Sequence, residues 1–552
     1  MIRILRSLAV PALFALLLAP VAAKPAAPAA RTQMVRVTLD AAMKTPTSGR
    51  LLIFAMPLQD AKAAAHGGPL ETVDTSPFEP TKTAVAAMEV AHIAPGGTVR
   101  MDADEVAFPR PFSQLASGEY AVQAVLDVNH NYNYGGRGEG DLVSKVVTVR
   151  LGGAHAATPS LTLSRVLPAR MQPWKLPARA SEAARKRMQP SLDAAKAHSR
   201  EIDFVSPALT AFWGRPIHMR GWVLLPPGYA EHKQRHYPTV YFTHGFSANL
   251  TTLTYSAGSA WKRMADGETP PMIWVFLDQS GPTGTNEFAD SVNNGPWGTA
   301  LTTELMPKLE SEYRMDGRPS GRFLTGHSSG GWATLWLQVR YPKIFGGTWS
   351  TSPDPSDFHD FTGPDLYAPH ANVYRKPDGS PWPLVRDKGK VIATFEQFAK
   401  LERVLGPYGG QMASFEWVFS PRGKDGRPEQ MFDRATGDVN PKVVDYWRDH
   451  YDIAHRLQAH WSQLKPYLNG KIHVYVGTAD TFYLDGSAHK LKAVLDRLGA
   501  KASVDFIPGK THFDIYAKGG DREWLHKEIA WQMYRVARPK AKIPLEYTAT
   551  TP

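Results

Sequence analysis

Arg322-Phe323-Leu324-Thr325-Gly326-His327-Ser328-Ser329-Gly330-Gly331-Trp332 is the stretch on which the reading of this chain turns. Phe323 and Leu324 lie in a short strand-like run, and Trp332 to Arg340 is compatible with a helix. Strand, sharp turn with a central serine, then helix is the layout of a nucleophile elbow. The flanking glycines fit that turn, because side chains there would collide with the neighbouring strand and helix. The pattern alone is weak in a chain with 45 glycines, where a glycine-rich turn with a solvent-facing serine reads the same way. The order of residues downstream decides between the two.

An elbow of this kind needs an acid and then a histidine, in that order along the chain. Lys471 to Val476 reads as a strand and is followed by Gly477-Thr478-Ala479-Asp480. Leu491, Val494, Leu495 and Leu498 then fall at helical spacing, and Gly499 ends the helix. Strand Ser503 to Ile507 follows, and the next loop carries His512. Parallel strands put Asp480, His512 and Ser328 at one sheet edge. A serine hydroxyl is too weak an acid to attack unaided, so His512 is expected to take its proton. Asp480 is expected to orient the ring and stabilise the imidazolium. Asp485 and Asp354 compete with Asp480 for that role, and Asp480 also reads as a turn or capping acid. The oxyanion needs fixed donors: the N–H of Ser329 is one, and Phe246 in His244-Gly245-Phe246 supplies the other, with Gly245 as the alternative.

The sequence divides by texture. Residues 1–23 read as a signal peptide: Arg3 and Arg6 precede apolar Leu8 to Leu18 and a small-residue cleavage site at Val21-Ala22-Ala23. A retained anchor is the competing reading. Residues 32–166 carry strand-like runs separated by turns, which predicts a β-sandwich of immunoglobulin-like type. Within it, Asp127-Val128-Asn129-His130-Asn131 and Asp141 place oxygens as a calcium loop would. Gly138 stands where an EF-hand needs glutamate, and an Asn/Gly hairpin loop is the favoured reading. Residues 167–203 read as a linker with one short helix near Ser181 to Met188. Residues 204–545 alternate strands and helices, the mark of α/β architecture, interrupted at about 354–457 by an insertion read as a lid or substrate wall.

The 552 residues are 43% hydrophobic and 21% charged, enough for two sizeable cores. With no cysteine, disulfides, thiolate nucleophiles and Cys-based zinc sites are excluded, and the reading calls for no metal or other cofactor. The net charge of +11, or +9 without the leader's two arginines, is scattered. No basic stripe interleaved with aromatics points to nucleic acid. After leader removal no long apolar run remains to span a membrane, so a secreted or periplasmic protein is expected.

The residues together resemble the esterase D family of α/β-hydrolases, which includes feruloyl esterases, enterochelin esterases, S-formylglutathione hydrolases and mycolyl transferases. The resemblance rests on Trp222 to Tyr229, His244-Gly245-Phe246, Asn294-Gly295-Pro296-Trp297-Gly298, Glu304 to Arg314, Gly326 to Gly331, Gly477 to Asp480 and His512-Phe513. It implies an α/β-hydrolase fold and an acyl-enzyme on Ser328 that water resolves. It also implies that Trp297 lines the pocket mouth, against which stands the reading of a core aromatic beside a Pro-Gly turn. The implied substrate is a small-molecule or carbohydrate-linked carboxylic ester. Acyl transfer to another alcohol, peptide cleavage, and a non-catalytic binding protein that keeps the fold are the competing functions.

Overall fold

The computed structural model describes residues 32–542 apart from 154, 170, 178 and 179, so the leader expected at 1–23 lies outside the described residues. Two large sheets dominate. The N-terminal one joins nine strands between Met34 and Val166 in one hydrogen-bonded network. Its strands follow the period-2 rule: Val35, Val37 and Leu39 are buried while Arg36 is exposed between them. Strands Met34–Leu39 and Ser160–Val166 pair in parallel, and the other neighbours are antiparallel. The predicted pair of separate sheets is thus replaced by one continuous sheet. It curls so that Val35 and Leu161 share a core with Leu51, Ile53 and Val122. The sequence reading missed strand Ala84–Ile93, whose five alanine and histidine positions blur the apolar pattern.

The second sheet has eight strands: β1 (Ser199–Val205), β2 (His218–Leu224), β3 (Thr239–Thr243), β4 (Ile273–Leu277), β5 (Arg322–His327), β6 (Gly347–Thr351), β7 (Ile472–Gly477) and β8 (Ser503–Ile507). Their spatial order is β1-β2-β4-β3-β5-β6-β7-β8. Strand β2 is antiparallel to both neighbours, and all pairs from β4 to β8 are parallel. Helices cover both faces, so these strands are apolar throughout: all five residues of β4 are buried. This is the α/β-hydrolase arrangement, and it sets the carboxyl ends of β3, β5, β7 and β8 on one rim.

Part of the expected linker is built into this layer. Residues 182–198 form helix α1 (Glu182–His198), capped by Ser181, and residues from 199 form edge strand β1. Leu192 and Ala195 of α1 are buried, and Leu192 fills the space above Gly258 on α2 (Leu253–Ala265), where an added Cβ would come to 2.8 Å of it. The lysines, arginines and Pro190 that suggested a spacer lie on the helix's outer surface and first turns.

Helix α3 (Ser329–Arg340) follows β5 and is buried along nearly its whole length. Between β6 and β7 the insertion carries helices α4 (Phe395–Leu405), α5 (Gln411–Phe419), α6 (Pro441–Tyr451) and α7 (Ile453–Leu468). Its core holds Phe361, Phe419 and Trp447, and it packs on Trp332 and Trp336 of α3. Helix α4 joins it to the N-terminal sheet: Leu401, Val404 and Leu405 pack on Leu52 and Phe54. The Arg50 guanidinium donates to the Val404 carbonyl at 2.7 and 3.0 Å, supplying charge and donors where the helix end leaves carbonyls unsatisfied. Helices α8 (Leu484–Arg497) and α9 (Trp524–Ala537) complete the layers. No helix among the described residues is long and apolar enough to cross a membrane.

Candidate active site

Ser328 joins β5 to α3 with φ 59° and ψ −125°, a conformation that costs a non-glycine residue about 1–3 kcal/mol. Neighbouring elements hold it there. Its N–H donates to the Thr351 carbonyl on β6 at 3.0 Å, and its carbonyl accepts from Trp332 N–H at 3.0 Å. Gly326 and Gly330 are required by close approach: an added Cβ would stand 2.2 Å from the Gly330 carbonyl oxygen in the first case and 2.3 Å from that of Thr243 in the second. The loop after β3 crosses the same point, since a Cβ on Gly245 would lie 3.1 Å from the Cβ of Ser328.

From β7 and β8 come Asp480 and His512. The imidazole Nδ1 lies 2.9 Å from Asp480 Oδ2, and both side chains are buried. Asp480 Oδ1 accepts from Phe482 N–H at 2.9 Å. Burial pushes the Asp480 carboxyl up, but the facing His512, with its charge and hydrogen bond, and the Phe482 N–H outweigh this and hold it below its ordinary value. An ionised acid fixed on Nδ1 leaves Nε2 on the opposite edge of the ring. That ring packs 4.4 Å from the ring of His327, the residue before the serine. His327 is pushed down to about 3 by burial and then by the neighbouring His512, so it is a neutral support. The Ser328 hydroxyl is not hydrogen-bonded to His512 among the described residues, and such contacts are commonly loose before substrate binds.

Of the three candidate acids, only Asp480 reaches the imidazole. Asp485 is paired with Arg386 at 2.8 Å. Asp354 adjoins the elbow and accepts from Ser329 Oγ at 2.6 Å, with Gln411 Nε2 of α5 at 3.3 Å from the same oxygen. Burial pushes Asp354 up to about 6, although the Ser329 hydrogen bond and His512 oppose the shift. Glu287, also buried, is pushed well up by burial and by Asp354. Strand β6 delivers Asp354 to this position, so its candidacy from sequence reflected true proximity with a different partner.

Trp297 is half-buried. Its indole N–H donates to the Asn294 carbonyl at 3.0 Å, and its ring packs on Phe288 against the core. The Asp127 loop is also explained without an ion: Asp127 accepts from Asn131 and Tyr132 N–H, and Asp141 from Gly138 and Val128 N–H. The ordered loop projects Tyr134 onto the loop after β3. The Tyr134 ring packs edge-on at 5.0 Å from Phe246, and its hydroxyl donates to the Ala248 carbonyl at 2.6 Å. Sequence reasoning did not find this contact, because nothing local marks a tyrosine for a partner 112 positions away.

The N-terminal N–H groups of α3 and a buried Asp–His pair at the rim where a strained serine ends β5 are together equipped for acyl transfer. Residues 214–526, more than half of the chain, match the esterase family described as Putative esterase. The chain belongs to this family of carboxylic ester hydrolases.

An endo-1,4-beta-xylanase/feruloyl esterase of Xylanibacter ruminicola is 30% identical over 132 residues, which are 22% of this chain and 18% of that one. The match thus spans under one fifth of the relative's length. Among solved structures, a ferulic acid esterase is similar at 16% identity and a TM-score of 0.38, covering 62% of this chain and 97% of that one. An S-formylglutathione hydrolase from Agrobacterium tumefaciens is 14% identical at a TM-score of 0.35, covering 62% and 94%.

Proposed function

We propose that this protein is an exported serine esterase that hydrolyses carboxylic esters through an acyl-enzyme on Ser328. The observation that carries the reading is the buried Asp480–His512 pair at the rim where β5 ends in the elbow. In the proposed reaction, His512 Nε2 takes the hydroxyl proton as Ser328 Oγ bonds to the ester carbonyl carbon. The N–H groups of Ser329 and Phe246 hold the oxyanion. His512 then returns the proton to the leaving alkoxide as the carbon–oxygen bond breaks. Water repeats the sequence and frees the acid. Asp480 keeps the ring oriented and balances the imidazolium. In the same proposal, residues 1–23 are a leader, the N-terminal β domain precedes a catalytic α/β domain, and the insertion walls the site.

The sequence relative named above is an endo-1,4-beta-xylanase/feruloyl esterase, and a small-molecule or carbohydrate-linked ester is the proposed substrate class. The test pairs ester turnover with fluorophosphonate labelling. Ser328→Ala is expected to abolish labelling and to lower kcat by several orders of magnitude, leaving only the oxyanion-hole contribution. Turnover at the wild-type rate in that variant would remove the assignment.

A further inference from the structure

An aromatic cluster borders His512, and one of its rings comes from a loop between strands of the N-terminal sheet. Phe482 and Phe513 lie edge-on to the imidazole, with centroids at 4.9 and 5.3 Å. Phe78 closes the cluster, 6.1 Å from Phe482 and 6.0 Å from Phe513. Phe78 belongs to residues 65–83, between the first two long strands of the N-terminal sheet. This segment is ordered from within: Val73 N–H donates to buried Gln123 at 2.9 Å, and Asp74 pairs with Arg137 at 3.2 Å and accepts from Tyr132. Phe78 N–H itself donates to Ser76 Oγ at 3.2 Å. Yet Phe78 is 37% exposed and Phe513 66%. Isolated exposed aromatics need no explanation, but two in contact beside a buried histidine form a wet-faced apolar shelf.

The chemistry gives the shelf its side. His512 must hand its proton to the departing alkoxide, so the alcohol half of the ester has to lie next to the imidazole, while the acyl half remains on Ser328. We propose that Phe78, Phe482 and Phe513 form the subsite for the alcohol half of the ester, and that it takes an alcohol with a flat apolar ring face, sugar or aryl. Phe78 is the specificity-determining member, because it reaches the site from a loop outside the catalytic layer. Flat rings favour stacking and edge-on partners, and an exposed shelf accepts a ring whose other face stays in water. The inference rests on the serine esterase reading above.

The test uses esters of one carboxylic acid with methanol, a monosaccharide and a phenol, assayed with the full chain and with Phe78→Leu and Phe78→Trp. Leucine keeps apolar volume and removes the flat ring, whereas tryptophan keeps the ring. For Phe78→Leu, kcat/KM on at least one ring-alcohol ester, taken as a ratio to the methyl ester and normalised to wild type, is expected to fall about two- to tenfold. Phe78→Trp is expected to retain the wild-type ratio. The ring ester that loses more identifies the alcohol as sugar or aryl. Unchanged ratios in Phe78→Leu, or an equal loss in Phe78→Trp, would overturn the subsite. Fluorophosphonate labelling separates the two levels. Labelling at the wild-type rate with unchanged ratios sinks the subsite alone, and absence of labelling in the wild type sinks the esterase reading with it.

Discussion

Asp480 Oδ2 stands 2.9 Å from His512 Nδ1, and the second oxygen of the same carboxylate is tied to Phe482 N–H at 2.9 Å. The carboxylate is thus held from both sides, and its rotation cannot release the ring without losing a buried hydrogen bond. Asp480→Asn keeps the volume and the Phe482 contact but removes the charge that fixes the tautomer. It is expected to lower kcat by about 10³–10⁴-fold with little change in melting temperature. Steady-state kinetics with thermal unfolding on the same preparation measures both. A loss under tenfold would transfer the orienting role to another group.

Tyr134 ties the N-terminal sheet to the loop that carries Phe246. If that loop supplies an oxyanion donor, its position matters on the scale of tenths of an ångström. Tyr134→Ala removes both the ring contact and the hydroxyl bond to Ala248. The expected result is a fall of about tenfold in kcat with KM changed less than twofold, because the donor acts on the transition state. Tyr134→Phe keeps the ring and should recover most of the loss. A change confined to KM would make Tyr134 part of substrate binding instead.

The α/β layer was legible because each βα unit prints its own local signals. The apolar runs of β3, β4 and β7, the glycine-framed Ser328 and the spacing of Leu491, Val494 and Leu495 all depend on neighbours within a dozen residues. Parallel topology then brings Ser328, Asp480 and His512 to one rim by rule. What could not be read depends on distant packing. Helix α1 looked like a linker because its apolar content is low, and only the docking of Leu192 and Ala195 on the catalytic layer makes it a structural helix. Trp297 packs on Phe288 through space, a contact that nothing in the local sequence announces. Phe78 and Tyr134 carry no sequence mark of their contacts with the catalytic rim. The glycines around Ser328 also argue for the turn whatever their neighbours, whereas aromatic residues argue for nothing until a partner is known.

Asp354 gives a prediction about stability and its sign. The carboxyl is buried, donated to by Ser329 Oγ at 2.6 Å, and faces Glu287, Asp480 and His512. Burial raises it from 3.8 to about 6 in the folded protein. A carboxyl whose folded value is raised binds its proton more tightly in the folded state, so its contribution to stability is fully present below pH 3.8 and is lost as pH rises through about 6. Above that range the folded protein carries a buried charge next to Glu287, which burial and Asp354 itself push toward the neutral form. Asp354→Asn is neutral at every pH and retains a group of the same shape for Ser329 and Gln411. Its melting temperature relative to wild type is therefore expected to rise between pH 4 and 6 and then level off. Asp141 and Asp360 are also raised to about 6, so the wild-type curve alone does not isolate Asp354. The difference between the two proteins removes Asp141 and Asp360, which both carry unchanged, and reports Asp354 together with the part of the Glu287 shift that Asp354 causes. Melting curves of wild type and Asp354→Asn at half-unit steps from pH 4 to 8 make the measurement. A difference that stays constant across that range would mean that Asp354 is ionised throughout, and that the Ser329 hydrogen bond and His512 outweigh its burial.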